Sequence, residues 1–254
     1  MQIATIVPTA YLNYVKDDNY HLCLIQELRK KGYYYEFYSR AAKEGKFVIV
    51  DNGAAEGATS DIEEVLLYTM TMGATELQLP DFFFDGIETM KAVEKALKYL
   101  EEYNYSGKVM AIPQGKDIED WNICLVEMLK HPQITTIGLP KNMVFLGGAL
   151  ARVQAVRTLI DYKENSGREI DIHLLGCWTT PKEVGVINEH YGSYVRGVDS
   201  GIAAIYAQGG LVLEDGVEKP GGNKKYLDFD GTSLDEKLLQ ENIQRWRDYI
   251  NGVL

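Results

Sequence analysis

Seven short apolar runs, separated by longer amphipathic stretches, predict an α/β protein: a (β/α)8 TIM-like barrel with a C-terminal hairpin and helix. Three observations carry this. The runs IATIVP (3–8), FVIVD (47–51), ELQLPD (76–81), VMAIPQ (109–114), TIGLPK (136–141), IHLLG (172–176) and YVRGVD (194–199) are near-continuous, as in parallel strands buried on both faces. The segments between them place apolar residues at i, i+3 and i+4, the period of a helix with one buried face. And 254 residues is the usual length of one such barrel. An open doubly wound sheet is the alternative, weakened because the sequence has no G-x-G-x-x-G and no P-loop.

The elements follow in chain order. After the first strand, GYYYEFYSRAAKEGK (32–46) reads two ways: its Ala/Lys/Glu half is helical, and its Tyr-rich half suits a strand. The strand at 47–51 ends in Asp51-Asn52-Gly53, and Asn-Gly after a strand signals either a hairpin or a sharp bend. No second strand follows, so a bend that turns Asp51 toward the barrel mouth is expected. Helices over 61–72, 86–103 and 181–190 begin at capping patterns, Ser60-x-x-Glu63, Asp85-x-x-Glu88 and Thr180-x-x-Glu183, with Pro181 at the first helical position. Helices over 117–130 and 148–163 rest on periodicity. A weak eighth strand is expected near 210–214. GGLVLEDGVEKPGGNKKYLDF (209–229) reads as a hairpin turning at Asp215-Gly216 or at Pro220-Gly221-Gly222, and a helix over 234–251 closes the chain. With no repeat, linker or low-complexity segment, residues 1–254 are expected to form a single barrel domain.

Composition limits the function classes. Apolar residues make up 46% and charged residues 25%, as in ordinary globular proteins. No apolar run approaches the ~18 residues of a membrane helix, and the N-terminus lacks a basic stretch followed by a long apolar one. No membrane partner and a cytoplasmic setting are therefore expected. Cys23, Cys124 and Cys177 are far apart and form no C-x-x-C pair, and the four histidines are scattered, so no metal site and no cofactor are expected. A net charge of -11 argues against a long phosphate-gripping face. The basic patches Arg29-Lys30-Lys31 and Lys224-Lys225 are short. The charge suits a small substrate, a short nucleic-acid contact, or a basic partner.

Active sites of such barrels gather at the C-terminal ends of the strands. Those ends carry Asp51, Asp81, Gln114-Gly115, Lys141, Gly176 and Asp199. Each Asp has a structural alternative: Asp51 and Asp81 as turn residues that bond their own backbone, Asp199 as the cap of a helix starting at Ser200. Gathered on one face, three carboxylates, an amide and glycine turns make a ligand constellation. Carboxylates with neither a Ser/Cys–His pair nor metal ligands suit glycosidic chemistry, in which one attacks the anomeric carbon and another handles the proton.

At these residues the sequence resembles the tRNA-guanine transglycosylase superfamily, and within it the shorter phage-type branch linked to 7-deazaguanine in DNA. VIVDNGAAEG (48–57) is similar to the family's Asp-Ser-Gly-Gly-Phe-Gln segment, and LQLPD (77–81) to the segment of its second base-binding Asp. AIPQG (111–115) matches its apolar-x-Gln-Gly segment. TIGLPKN (136–142) lies where a Gly-Leu-Ala strand end contacts the base. IHLLGCWTTPKEV (172–184) resembles Leu-Met-Gly-x-Gly-Thr-Pro-x-Asp/Glu, and RGVDSG (196–201) occupies the place of the catalytic Phe-Asp-Cys. The order holds from roughly 47 to 201.

The resemblance implies roles. Asp199 would be the nucleophile at C1′. Asp51 would transfer a proton or help recognise the base, with Asn52 and Gly53 letting a flat base approach closely. Asp81 and Gln114 would bond the purine edge, with Gly115, Gly176 and the backbone near Gly138 and Leu139 lining the base site. The implied activity replaces guanine with a 7-deazaguanine derivative through a covalent sugar–enzyme intermediate. The family's zinc-binding Cys-x-Cys-x-x-Cys…His is absent, and its Arg-rich stretch after the catalytic Asp is here IAAIYAQGG. Both serve tRNA docking in the family, so DNA is the expected polymer and tRNA the alternative. A homodimer or a partner subunit is compatible with the resemblance. Two other readings stand beside it: a nucleosidase or base-exchange enzyme on free nucleosides or nucleotides, and a non-catalytic subunit that binds a modified base.

Overall fold

The computed structural model describes residues 1–30, 32–57, 61–177, 181–214, 217, 219–220, 227–229 and 233–253. Eight parallel strands form the sheet: β1 (Gln2–Thr5), β2 (Tyr20–Cys23), β3 (Phe47–Val50), β4 (Glu76–Gln78), β5 (Lys108–Ala111), β6 (Thr136–Pro140), β7 (Asp171–Leu175) and β8 (Val195–Ser200). Hydrogen-bonded ladders join them in the order β1-β8-β7-β6-β5-β4-β3-β2. The two edge strands, β1 and β2, then lie side by side, so the sheet curls into a nearly closed TIM-like barrel.

Helices cover the outside: α1 (Ile25–Arg29), α2 (Tyr33–Lys43), α3 (Ile62–Met72), α4 (Gly86–Glu102), α5 (Ile118–Met128), α6 (Val144–Gly147), α7 (Ala151–Ser166), α8 (Lys182–Tyr191), α9 (Ile202–Gln208) and α10 (Glu236–Ile250). The Tyr-rich segment at 32–46 is thus a helix. Asp85 caps α4 as expected, accepting from the Glu88 N–H at 2.9 Å. The side chain of Asp61, directly before α3, makes no cap bond, and Pro181 directly precedes α8 rather than opening it. Ser60 and Thr180 lie outside the described residues.

The eighth strand is not where the sequence places it. Residues 211–214 have no regular structure. Their backbone is held instead by the fully buried Asn242 of α10, which accepts from the Leu213 N–H at 2.8 Å and donates to the Leu211 carbonyl at 2.9 Å. A ladder is unnecessary when one amide satisfies these groups. The missing strand is β2, reached from β1 through a 3-10 helix at Thr9–Val15. Both expected hairpin turns include residues outside the described set.

Strand alternation sorts the side chains into two layers. Outward residues such as Val48, Val50, Leu77, Val109, Ile137, Leu139 and Leu174 bury against the helices. Ala4, Tyr20, Leu22, Ile49 and Met110 meet inside the barrel. At the N-terminal end the interior is charged. The β7–β8 register pairs Ile172 with Val195 and then His173 with Gly197, which leaves Arg196 as an extra, bulged residue. Its guanidinium donates to Glu76 at 3.1 Å, Thr136 at 2.9 Å and Asp171 at 3.0 Å, and lies 4.7 Å from the Phe47 ring centroid. Lys108 also donates to Asp171 at 3.0 Å. Two cations meet two carboxylates, and this end of the barrel is filled by a neutralised network.

Candidate active site

At the opposite end the interior opens into a cavity of about 180 Å³. Asp51, Asp81 and Asp199, from the ends of β3, β4 and β8, all line it. The sequence-predicted carboxylates therefore come together, each less than 10% exposed.

Asp51 satisfies both of its expected descriptions. Its Oδ2 accepts from the Gly53 N–H at 2.8 Å, the bond of an Asx turn, and its side chain faces the cavity. Gly53 has φ 78°, a left-handed conformation that a side chain would strain, so Asn52-Gly53 makes the bend. Asn52 repeats the device, accepting from the Ala54 N–H at 2.9 Å, while its Nδ2 donates to Asp81 at 2.7 Å.

Asp81 is held by two amides. Asn52 Nδ2 and Gln114 Nε2 each donate to one of its oxygens at 2.7 Å. Burial raises its pKa to about 6, against the pull of those two amides toward the ionised form. A carboxyl group with that pKa exchanges its proton near neutral pH.

Asp199 is held from below. Its Oδ1 lies 3.0 Å from His173 Nε2, and His173 Nδ1 lies 2.8 Å from the Tyr20 hydroxyl, which accepts from Arg196 Nε at 3.1 Å. A carboxylate can only accept, so Nε2 carries a proton. The fully buried His173 thus donates to Asp199 and fixes its orientation. Asp199 does not cap a helix starting at Ser200. β8 runs through Ser200, whose hydroxyl accepts from the Ile202 N–H at 3.1 Å.

The expected base-site glycines separate. Gly176, at φ 70°, lines the cavity, and a Cβ there would meet Lys141 Cδ at 3.0 Å. Gly115 lies behind Gln114, where a Cβ would sit 2.3 Å from the Trp121 backbone nitrogen, so its role is close packing on α5. Gly138 and Leu139 are inside the β6 ladder, paired with His173 and Leu174, and neither lines the cavity. The Leu139 carbonyl instead faces buried Arg152, which also donates to the Gly176 carbonyl at 2.8 Å and is held by Glu183 at 2.8 Å and 3.0 Å.

Several contributors lay hidden in the sequence. His173 sits within an apolar run, and only its inward parity, two residues from Asp171 and Leu175, marks it. Gln78, also inward, lines the cavity. Phe83 lines the rim, and its neighbour Phe84 adopts φ 62°, an uncommon conformation for a bulky residue. Cys177 reaches the cavity, but burial pushes its thiol up to about 12, so it remains protonated. Lys141 and Lys219 are the cations among the described lining residues.

Comparison with protein-family models gives no match, and comparison with curated proteins gives none. Among solved structures, the chain is similar to phosphoribosyl anthranilate isomerase from Thermococcus kodakaraensis. The identity is 15% and the TM-score 0.44, over 79% of this chain and 87% of that one. Among the described residues, no single helix is long and apolar enough to cross a membrane.

Proposed function

We propose that the chain is a base-exchanging transglycosylase that replaces guanine in DNA, with RNA as the alternative polymer, by a 7-deazaguanine derivative. The observation that carries this reading is Asp199, presented to a cavity by a fully buried histidine and faced by two further carboxylates. A glycosyl transfer needs such a set: a positioned nucleophile, and a second acid whose proton is available near neutrality.

In this scheme an Asp199 oxygen attacks C1′, and the C1′–N9 bond breaks with its electron pair moving to the departing base. Asp81, with its raised pKa, supplies the proton that neutralises that base; Asp51 is the other candidate. An incoming 7-deazapurine then gives its N9 proton to the carboxylate that protonated the departing base, attacks C1′ and displaces Asp199, which leaves as a carboxylate. No bond energy is lost overall, so no nucleoside triphosphate is needed. The exposed Phe82, Phe83 and Phe84 beside the cavity offer faces for bases stacked next to one drawn out of a duplex.

One test is direct. The protein is expressed with 7-deazaguanine precursors present, and DNA and tRNA are digested separately for nucleoside mass spectrometry. A modified nucleoside in DNA that disappears with Asp199→Asn supports the reading; label in neither polymer refutes it. A nucleic-acid adduct that survives denaturation and is lost with Asp199→Ala identifies the nucleophile, whereas loss with Asp51→Ala alone transfers that role.

A second reading, exchange or hydrolysis on free nucleosides, is favoured by the charge. Arg29 is paired with Glu64 and Lys30 with Glu27, which neutralises two cations of one basic patch in a chain of net charge -11. Lys219, Leu227 and Phe229 of the C-terminal segment also line the cavity. Turnover of free deoxyguanosine with no label in polymer would select it.

A further inference from the structure

β4 points Glu76 and Gln78 into the barrel at the two-residue spacing of a strand. Glu76 is fully partnered by Arg196 and Thr136. Gln78 is not. It is 1% exposed, and neither the amide nitrogen nor the amide oxygen has a hydrogen-bond partner among the described residues. Gln78 lines the cavity, where its neighbours in the wall include the apolar Ile6, Leu22 and Ile112.

Burying an amide with both ends unpaired is costly, and native folds pair nearly all such groups. Methionine would fill the same volume without that cost. A residue kept against this penalty, on the wall of a ligand-sized cavity, is explained when the ligand provides the partners. A primary amide carries a donor and an acceptor side by side. Its natural complement is a planar group with an adjacent N–H and C=O, which it meets through two antiparallel hydrogen bonds. Asp81, an acceptor when ionised, faces the same space and suits a further N–H on that ring.

We propose that Gln78 is a specificity-determining residue that pairs with the lactam edge, the N1–H and C6=O, of an oxopurine or oxo-7-deazapurine base bound in the cavity. This rests on the reading of the cavity as a base site. It adds a recognition group that the resemblance to the transglycosylases did not assign.

The test is a binding cycle by calorimetry on the whole protein. The probes are free 7-deazaguanine and 2-amino-7-deazapurine, which lacks the lactam. Wild type should prefer 7-deazaguanine by about tenfold or more, because the analogue leaves Gln78 unpaired. Gln78→Met should bind the two equally and should unfold at a higher temperature than wild type. Gln78→Leu, which has neither donor nor acceptor, should lose the preference in the same way. Unchanged preference in both variants overturns the proposal, as does a lowered melting temperature in Gln78→Met, which would mean a structural role. If wild type binds neither probe, the base-site reading itself fails. If binding behaves as described but no Asp199 adduct forms, only the transfer chemistry fails.

Discussion

Asp81 makes stability depend on pH through one proton. Its pKa is raised from 3.8 to about 6 by burial, so between those values the folded protein holds a proton that the unfolded chain has released. Stability contributed by this group is therefore present at low pH and falls as pH rises through about 4 to 6, by about 3 kcal/mol in total. Urea unfolding at a series of pH values should show wild type losing that amount relative to Asp81→Asn between pH 4 and pH 7. A parallel pair of curves would mean that the carboxyl titrates normally. His173 makes a different prediction. Its Nε2–H sets the direction of Asp199, so His173→Phe should fold, bind base normally, and lose about 10²-fold or more in adduct formation, the usual cost of misplacing a reacting group. His173→Gln, which can still donate to Asp199, should recover part of the rate; equal loss in both would argue against a role in orientation.

At the level of elements, the bulge in β8 does two jobs. It drops Arg196 into the floor of the barrel and shifts Gly197 and Asp199 into inward register. Gly197 then leaves room for Tyr20, whose ring would lie 2.6 Å from a Cβ at that position. Gly197→Ala should displace Tyr20, destabilise the fold by about 1–3 kcal/mol in chemical denaturation, and slow adduct formation as well. Such a bulge has no signature in YVRGVD, which reads as an ordinary strand. By contrast, the six other predicted strands and most helices were legible, because continuous apolar runs and helical periodicity report burial directly. β2 was not. Its Tyr20 and His21 look polar, yet Tyr20 serves the His173 chain inside and His21 lies edge-on to Phe37 and Tyr38 outside. Among site residues, the carboxylates could be read because they end apolar runs. Gln78 and His173 could not, because an inward polar residue in mid-strand gains its meaning from what lies across the barrel.

For the whole molecule, the charged floor decides both stability and access. Glu76 is fully buried, and Arg196→Met would leave it without its cationic partner. The loss should be about 3–5 kcal/mol by urea denaturation, and adding Glu76→Gln should restore much of it. A similar loss in the double variant would show that packing of the guanidinium, rather than its charge, is what matters. The same floor also closes the barrel at one end. In the proposed exchange, a departing base and its replacement would have to use one opening in turn, and could not follow each other through. In steady-state kinetics the released base should therefore compete with the incoming one, and the sugar should wait on the protein while the opening clears. Under that proposal the lifetime of the waiting state, set by traffic at a single mouth, is where water would have its chance to intervene.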